Sequence, residues 1–157
     1  MGIGGQERFE LAAERLGVAV EVTHFPEGTR TAADAAGAVG CDVAQIVKSL
    51  VFVADGRPVL ALTSGSNRVD LERLARLVGA ATVERADAET VRSATGFAIG
   101  GTPPFGHPSR LETYVDQDLF DHPIVWAAAG TPATCFPIAP DALARFSAAI
   151  RADVAQR

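Results

Sequence analysis

Two runs of β-branched residues flank a single Asp-Gly pair, and that arrangement leaves the middle of this chain few choices. Ile46-Val47-Lys48-Ser49-Leu50-Val51-Phe52-Val53 leads into Asp55-Gly56, and Pro58-Val59-Leu60-Ala61-Leu62-Thr63 follows. A type I′ turn needs positive φ at both central positions, which Asp-Gly tolerates, so the spacing predicts a tight β-hairpin. Alternation along the first strand puts Lys48, Leu50 and Phe52 on one face and Val47, Ser49, Val51 and Val53 on the other. Lys48 therefore shares a face with large apolar side chains. An amine there is costly to bury unless it meets a partner or opens into a pocket. The bland alternative is a strand-end lysine whose stem packs while its amine reaches water.

The cation census sharpens the interest in that residue. The chain carries thirteen arginines and one lysine, Lys48. Arginine is a permanently charged planar fork, whereas a lysine amine is compact and can be tuned by burial. Net charge is −5, which argues against a broad, sequence-blind nucleic-acid binder but leaves room for a local basic rim. Arg68, Arg73, Arg76 and Arg110 are candidates for such a rim, with scattered surface arginines as the alternative.

Around the hairpin the pattern alternates between helix and strand. Residues 6–16 read as an amphipathic helix ending at Gly17, and 18–25 alternate as a strand. Thr31 is a candidate cap for a short helix through Val39. Asp70 is expected to cap a helix ending at Gly79, and Asp87 one through Ala94. Residues 96–110 read as a strand running into a long Gly/Pro loop, and 113–115 as extended. Ile124–Ala128 and Cys135–Ala139 read as an antiparallel pair. Pro140-Asp141 opens a last helix whose stripe would comprise Leu143, Phe146, Ile150 and Val154. These elements imply an α+β fold: one domain spanning residues 1–157, with a mixed, mostly antiparallel sheet flanked by helices.

The loop Gly100-Gly101-Thr102-Pro103-Pro104-Phe105-Gly106 is the second chemical candidate. Paired glycines permit close backbone approach, and the prolines stiffen the segment. Such a turn can present amide groups to a carbonyl or a developing oxyanion, or it can simply be a rigid connector. It matches neither a dinucleotide nor a P-loop fingerprint. His24, His107 and His122 lack metal-binding spacing, and no Gly-x-Ser-x-Gly elbow occurs. Cys41 and Cys135 have no CxxC pattern and read as two reduced thiols. The opening residues lack the basic and apolar segments of a signal peptide, and no apolar run approaches the about 20 residues that span a bilayer. The expectation is a soluble, cytoplasmic protein without a membrane partner.

Taken together, Ile46-Val47-Lys48-Ser49-Leu50, the Asp70–Ala75 helix start, Arg92-Ser93-Ala94-Thr95-Gly96-Phe97 and the Gly100–Gly106 loop resemble the YbaK/prolyl-tRNA-synthetase-associated editing domains. The closing Ile138-Ala139-Pro140-Asp141-Ala142-Leu143 is similar too, so the likeness covers about residues 18–152. The resemblance implies a free-standing aminoacyl-tRNA deacylase, with no metal or other cofactor. Its essential lysine corresponds to Lys48, and its substrate-binding loop to Gly100, Gly101, Thr102, Pro103, Pro104 and Gly106. Gly130, in the turn before the last strand, is the remaining substrate-binding residue that the resemblance implies. The implied partners are the acceptor end of a charged tRNA and an aminoacyl-tRNA synthetase. The cysteine-removing branch carries Ser-Gly-Gly and a strand Asp where this chain has Ala128-Ala129-Gly130 and Cys135. That departure points toward another small amino acid such as alanine, serine or threonine, with Ala61 a candidate for the pocket wall. A non-catalytic binding module of the same fold and a hydrolase of other small esters remain the competing readings.

Overall fold

The computed structural model describes residues 3–25 and 31–157. The hairpin is its spine. Strands β2 (Ile46–Ala54) and β3 (Arg57–Ser64) pair antiparallel along their whole length. Asp55 and Gly56 adopt φ of 47° and 84°, as the two-residue turn requires. The Asp55 carboxylate also accepts from the N–H groups of Ala81 and Thr82, both at 2.9 Å, tying the turn to the chain entering β4 (Val83–Arg85).

The remaining strands are β1 (Thr23–His24), β5 (Glu112–Asp116), β6 (Val125–Ala128), β7 (Thr134–Ile138) and β8 (Ile150–Ala152). All eight join one sheet in the order β1-β7-β6-β2-β3-β5-β8, with β4 pairing β2 off this path. Among the described residues four pairings are antiparallel and three parallel, so the sheet is mixed as expected.

Among the described residues five α-helices accompany the sheet: α1 (Gly5–Leu16), α2 (Ala32–Val39), α3 (Leu71–Val78), α4 (Ala88–Thr95) and α5 (Pro140–Ser147). The predicted caps are present. Thr31 Oγ1 accepts from Asp34 N at 3.1 Å, Asp70 Oδ1 from Glu72 N and Arg73 N, and Asp87 Oδ1 from Thr90 N at 2.8 Å. The two sheet faces bury separate cores. Val47 and Val51 of β2 join Phe9, Phe136 and Leu143 on one side. Phe52 and Ala61 join Leu74, Val78 and Val154 on the other. Alternation along β2 thus divides its side chains as predicted.

Three local expectations need correction. Val18, Val20 and Val22 do turn inward, yet only Thr23–His24 of the 18–25 segment pairs with a strand; the alternation reflected packing, not pairing. The last helix stops at Ser147 because Ala148 adopts φ of 53°, and Ile150–Ala152 then pairs parallel with β5. Ile150 is consequently exposed, and Val154 reaches the opposite core. No strand precedes the Gly/Pro loop; 97–99 form an irregular approach to it.

Aromatic packing holds that loop. Phe105 is buried, with its ring centroid 5.5 Å from Phe9, 5.8 Å from Phe136 and 6.0 Å from Phe146. Arg8 donates to Gly96 O at 2.6 Å and stacks over the Phe97 ring. Gly130 serves the same frame. At its φ of 106° a Cβ would lie 2.3 Å from Gly5 O, so only glycine lets α1 dock.

This contrast sets a stability prediction. Gly130→Ala combines backbone strain with a main-chain clash and should cost roughly 2 kcal/mol or more in urea unfolding. Gly56→Ala, in open space, should cost only about 1 kcal/mol. Equal costs would contradict the proposed docking role.

Candidate active site

The candidate site is built from a gap in the sheet. Along its outer edge β2 pairs with β6 at Ile46–Val47 and with β4 at Phe52–Ala54. Between those pairings Lys48, Ser49, Leu50 and Val51 have no strand on that edge among the described residues; a hydrogen bond there runs from Ala86 N to Val51 O. A cavity of about 320 Å³ opens there. Its walls include Ala35 of α2, Trp126 of β6, Arg85 of β4, and Gly100 and Thr102 of the Gly/Pro loop. Ser49 Oγ is buried against this space without a hydrogen-bond partner among the described residues.

Lys48 is half-buried at the cavity wall, and its Nζ donates to the main-chain oxygen of Asn67. Burial pulls the amine's pKa below its ordinary value, and the nearby guanidinium groups of Arg85 and Arg68 push the same way; Asp116 opposes them. The lysine is therefore neither a solvated strand-end group nor a paired core charge. It is a hydrogen-bonded amine facing a cavity whose lining, among the described residues, includes no carboxylate and no histidine.

The sequence-predicted residues divide around this cavity. Lys48, Gly100 and Thr102 line it. Gly101 lies behind the wall, where its bare Cα lets Thr131 approach; a Cβ would fall 2.6 Å from Thr131 Cα. Pro103 O accepts from the buried His107 ring at 2.8 Å, closing the loop on itself. Burial lowers the His107 pKa. Pro104 and Gly106 line a second groove on the far side of the loop, with Arg8, Arg15, Arg110 and Arg145. Gly130 packs against α1, and Ala61 is fully buried beside Tyr114, so neither lines the cavity. The candidate rim arginines are scattered, the alternative the sequence left open: Arg73 is bound to Asp70 and Asp153, while Arg68 lies near Lys48 and Arg110 in the second groove.

Sequence reading missed Ser49, Arg85, Trp126 and Asn67. Trp126 is the one tryptophan of the chain, a usable hint; the others depend on contacts between distant segments. Within the loop, Gly101 N and the Thr102 hydroxyl both donate to Ala98 O, leaving the N–H groups of Gly100 and Thr102 without an acceptor among the described residues. Cys135 borders the cavity, but burial pushes its thiol up to about 12, so it stays protonated at neutral pH. Both cysteines are free. The described residues of the cavity thus offer an amine, a rigid loop and hydroxyls, and among them no activated side-chain nucleophile. No helix among the described residues is long and apolar enough to cross a membrane.

Known proteins resemble this chain in sequence and fold. Residues 26–146 match the model of the aminoacyl-tRNA editing domain. A crystal structure described as a candidate trans-editing enzyme for prolyl tRNA synthetase superposes with a TM-score of 0.94 at 45% identity, covering 100% of both chains. A candidate Cys-tRNA(Pro)/Cys-tRNA(Cys) deacylase of Enterococcus faecalis is 28% identical over 76% of this chain and 73% of its own. The proline–tRNA ligase of Nitratidesulfovibrio vulgaris is 34% identical over 92 residues, which are 59% of this chain and only 16% of the ligase. With the family match spanning most of its length, this chain belongs to the aminoacyl-tRNA editing domain family.

Proposed function

We propose that this protein is a free-standing deacylase that hydrolyses the ester between a small amino acid and the 3′ end of a mischarged tRNA, with proline tRNA the first candidate. The observation that carries the reading is the Lys48 amine on the wall of a cavity it shares with Gly100 and Thr102. An aminoacyl ester is already activated, so its hydrolysis needs positioning and charge stabilisation more than a strong nucleophile.

In this reading the acceptor end enters at the open edge of β2, and Trp126 offers a flat surface on which its terminal base stacks. The Lys48 ammonium and the N–H groups of Gly100 and Thr102, which have no acceptor among the described residues, stabilise the oxyanion that forms as water adds to the ester carbonyl and passes its proton to solvent. Collapse of that intermediate breaks the C–O bond, releasing the amino acid and restoring the ribose hydroxyl. The modest volume of the cavity favours a small side chain. The acidic net charge limits RNA contact to a local surface.

Proline tRNA carrying alanine, cysteine or serine, each offered to wild type and to Lys48→Ala, tests the reading. Wild type should release at least one amino acid, and the substitution should slow release by about 100-fold or more with the melting temperature preserved. Binding without release from any of the three would support a non-catalytic module instead. Cleavage of a free aminoacyl ester but not of charged tRNA would support a different esterase.

Lys48 should also lose its proton more readily than an ordinary lysine with a pKa of 10.5. The unfolded chain then binds more protons between the two midpoints, so the stability penalty of this amine is relieved as pH rises through that window. If the ammonium acts, deacylation corrected for spontaneous hydrolysis should fall at a midpoint below 10.5. A corrected rate that keeps climbing through this range would contradict the ammonium's role.

A further inference from the structure

Asn67 lies in the loop between β3 and α3, and the residues lining the cavity do not include it. Its main-chain carbonyl nevertheless accepts the hydrogen bond from Lys48 Nζ. Its side chain makes separate contacts. Nδ2 donates to Asp116 Oδ2 at 2.9 Å and to Asp118 Oδ2 at 2.7 Å. An amide nitrogen with two N–H groups is well matched to two carboxylates; the opposite flip would aim a carbonyl oxygen at both.

Each carboxylate is itself anchored. Asp116 is fully buried and also accepts from Ser64 N at 3.0 Å and Asp118 N at 2.9 Å. Asp118 receives two bonds from Arg157, at 2.9 and 3.3 Å, and Arg157 also grips Asp153 at 2.7 Å. The loop around Asn67 is strapped to the same closing segment. Asp70 N donates to Val154 O and Gln156 N to Arg68 O, both at 2.8 Å. The Asn67 carbonyl therefore cannot shift without disturbing two buried or ion-paired acids.

We propose that Asn67 is a positioning residue: the Asp116–Asp118 pair grips its amide so that its main-chain carbonyl fixes where the Lys48 amine sits at the cavity. The inference rests on the proposed role of Lys48. It explains why an asparagine stands here, since aspartate, serine and alanine each lack the two N–H donors needed to bridge two carboxylates. Charge-assisted bonds to Asp116 and Asp118 make this grip stronger than a neutral contact.

Because Lys48 is the sole lysine, ¹⁵N labelling of lysine Nζ yields one side-chain ammonium signal whose relaxation reports its mobility. In wild type the ammonium should be rigid, toward the ordered end of a scale on which about 0.85 is rigid and below about 0.6 is flexible. Asn67→Ala should move it to the flexible end. It should also lower the saturating deacylation rate about tenfold or more, with KM changing less than about threefold, on whichever of the three charged tRNAs wild type cleaves. Asp118→Asn keeps an acceptor for the amide but loses the Arg157 ion pair, so it should fall between the two and serves if Asn67→Ala does not fold. Asp118→Ala should add little to Asn67→Ala, because both act through one contact. A rigid ammonium in Asn67→Ala or Asp118→Asn would overturn the proposal, as would a loosened ammonium with an unchanged rate. If Lys48→Ala stays active, the lysine reading fails, while the mobility measurement still decides whether Asn67 holds the amine.

Discussion

A half-buried amine with two guanidinium groups nearby needs a fixed acceptor, and the Lys48–Asn67 hydrogen bond meets that need. Desolvation and the arginines both disfavour the charged form, so without the carbonyl the side chain would gain by swinging toward water. Much of the surrounding structure bears on this contact. The hairpin sets the starting point of the amine, the β3–α3 loop supplies the acceptor, and β5 with the segment after it provides Asp116 and Asp118.

The second requirement is a gap. A fully paired β2 would leave no entrance beside Lys48, but β6 and β4 share its outer edge and leave the middle open. An unpaired edge is ordinarily a liability, managed by covering or blunting it. Here α2, Trp126 and the Gly/Pro loop cover it without filling it. The loop keeps its distance because its far end is pinned in an aromatic cluster and its near end by Arg8. Rigid support on both sides lets a site with few polar groups hold a defined shape.

Much of this frame was legible from local sequence. Asp55-Gly56 announced the hairpin, Thr31, Asp70 and Asp87 announced helix starts, and the solitary Lys48 in an apolar strand lies on the wall of the candidate cavity. Each of those signals rests on chemistry within a few residues. What stayed hidden depends on contacts across 50 residues or so in the chain. Nothing near Asn67 indicates that Asp116 and Asp118 will meet its amide. The Gly/Pro loop was recognised as a unit, yet only Gly100 and Thr102 of its expected residues reach the cavity. Gly101 and Gly130 are glycines for close packing, and a glycine kept for packing reads the same in sequence as one kept for a ligand. The final stripe of 143, 146, 150 and 154 looked helical because apolar spacing cannot reveal a left-handed residue at Ala148.

The most direct measurement is a structure of the protein bound to an adenosine bearing a small amino acid through a 3′-amide, which mimics the ester but resists hydrolysis. The amide oxygen is expected in the β2 gap, within about 2.7–3.2 Å of Lys48 Nζ and facing Gly100 and Thr102, with the Asn67 carbonyl still holding the amine. An analogue seated in the arginine-lined groove beyond Pro104, with Lys48 untouched, would contradict that arrangement.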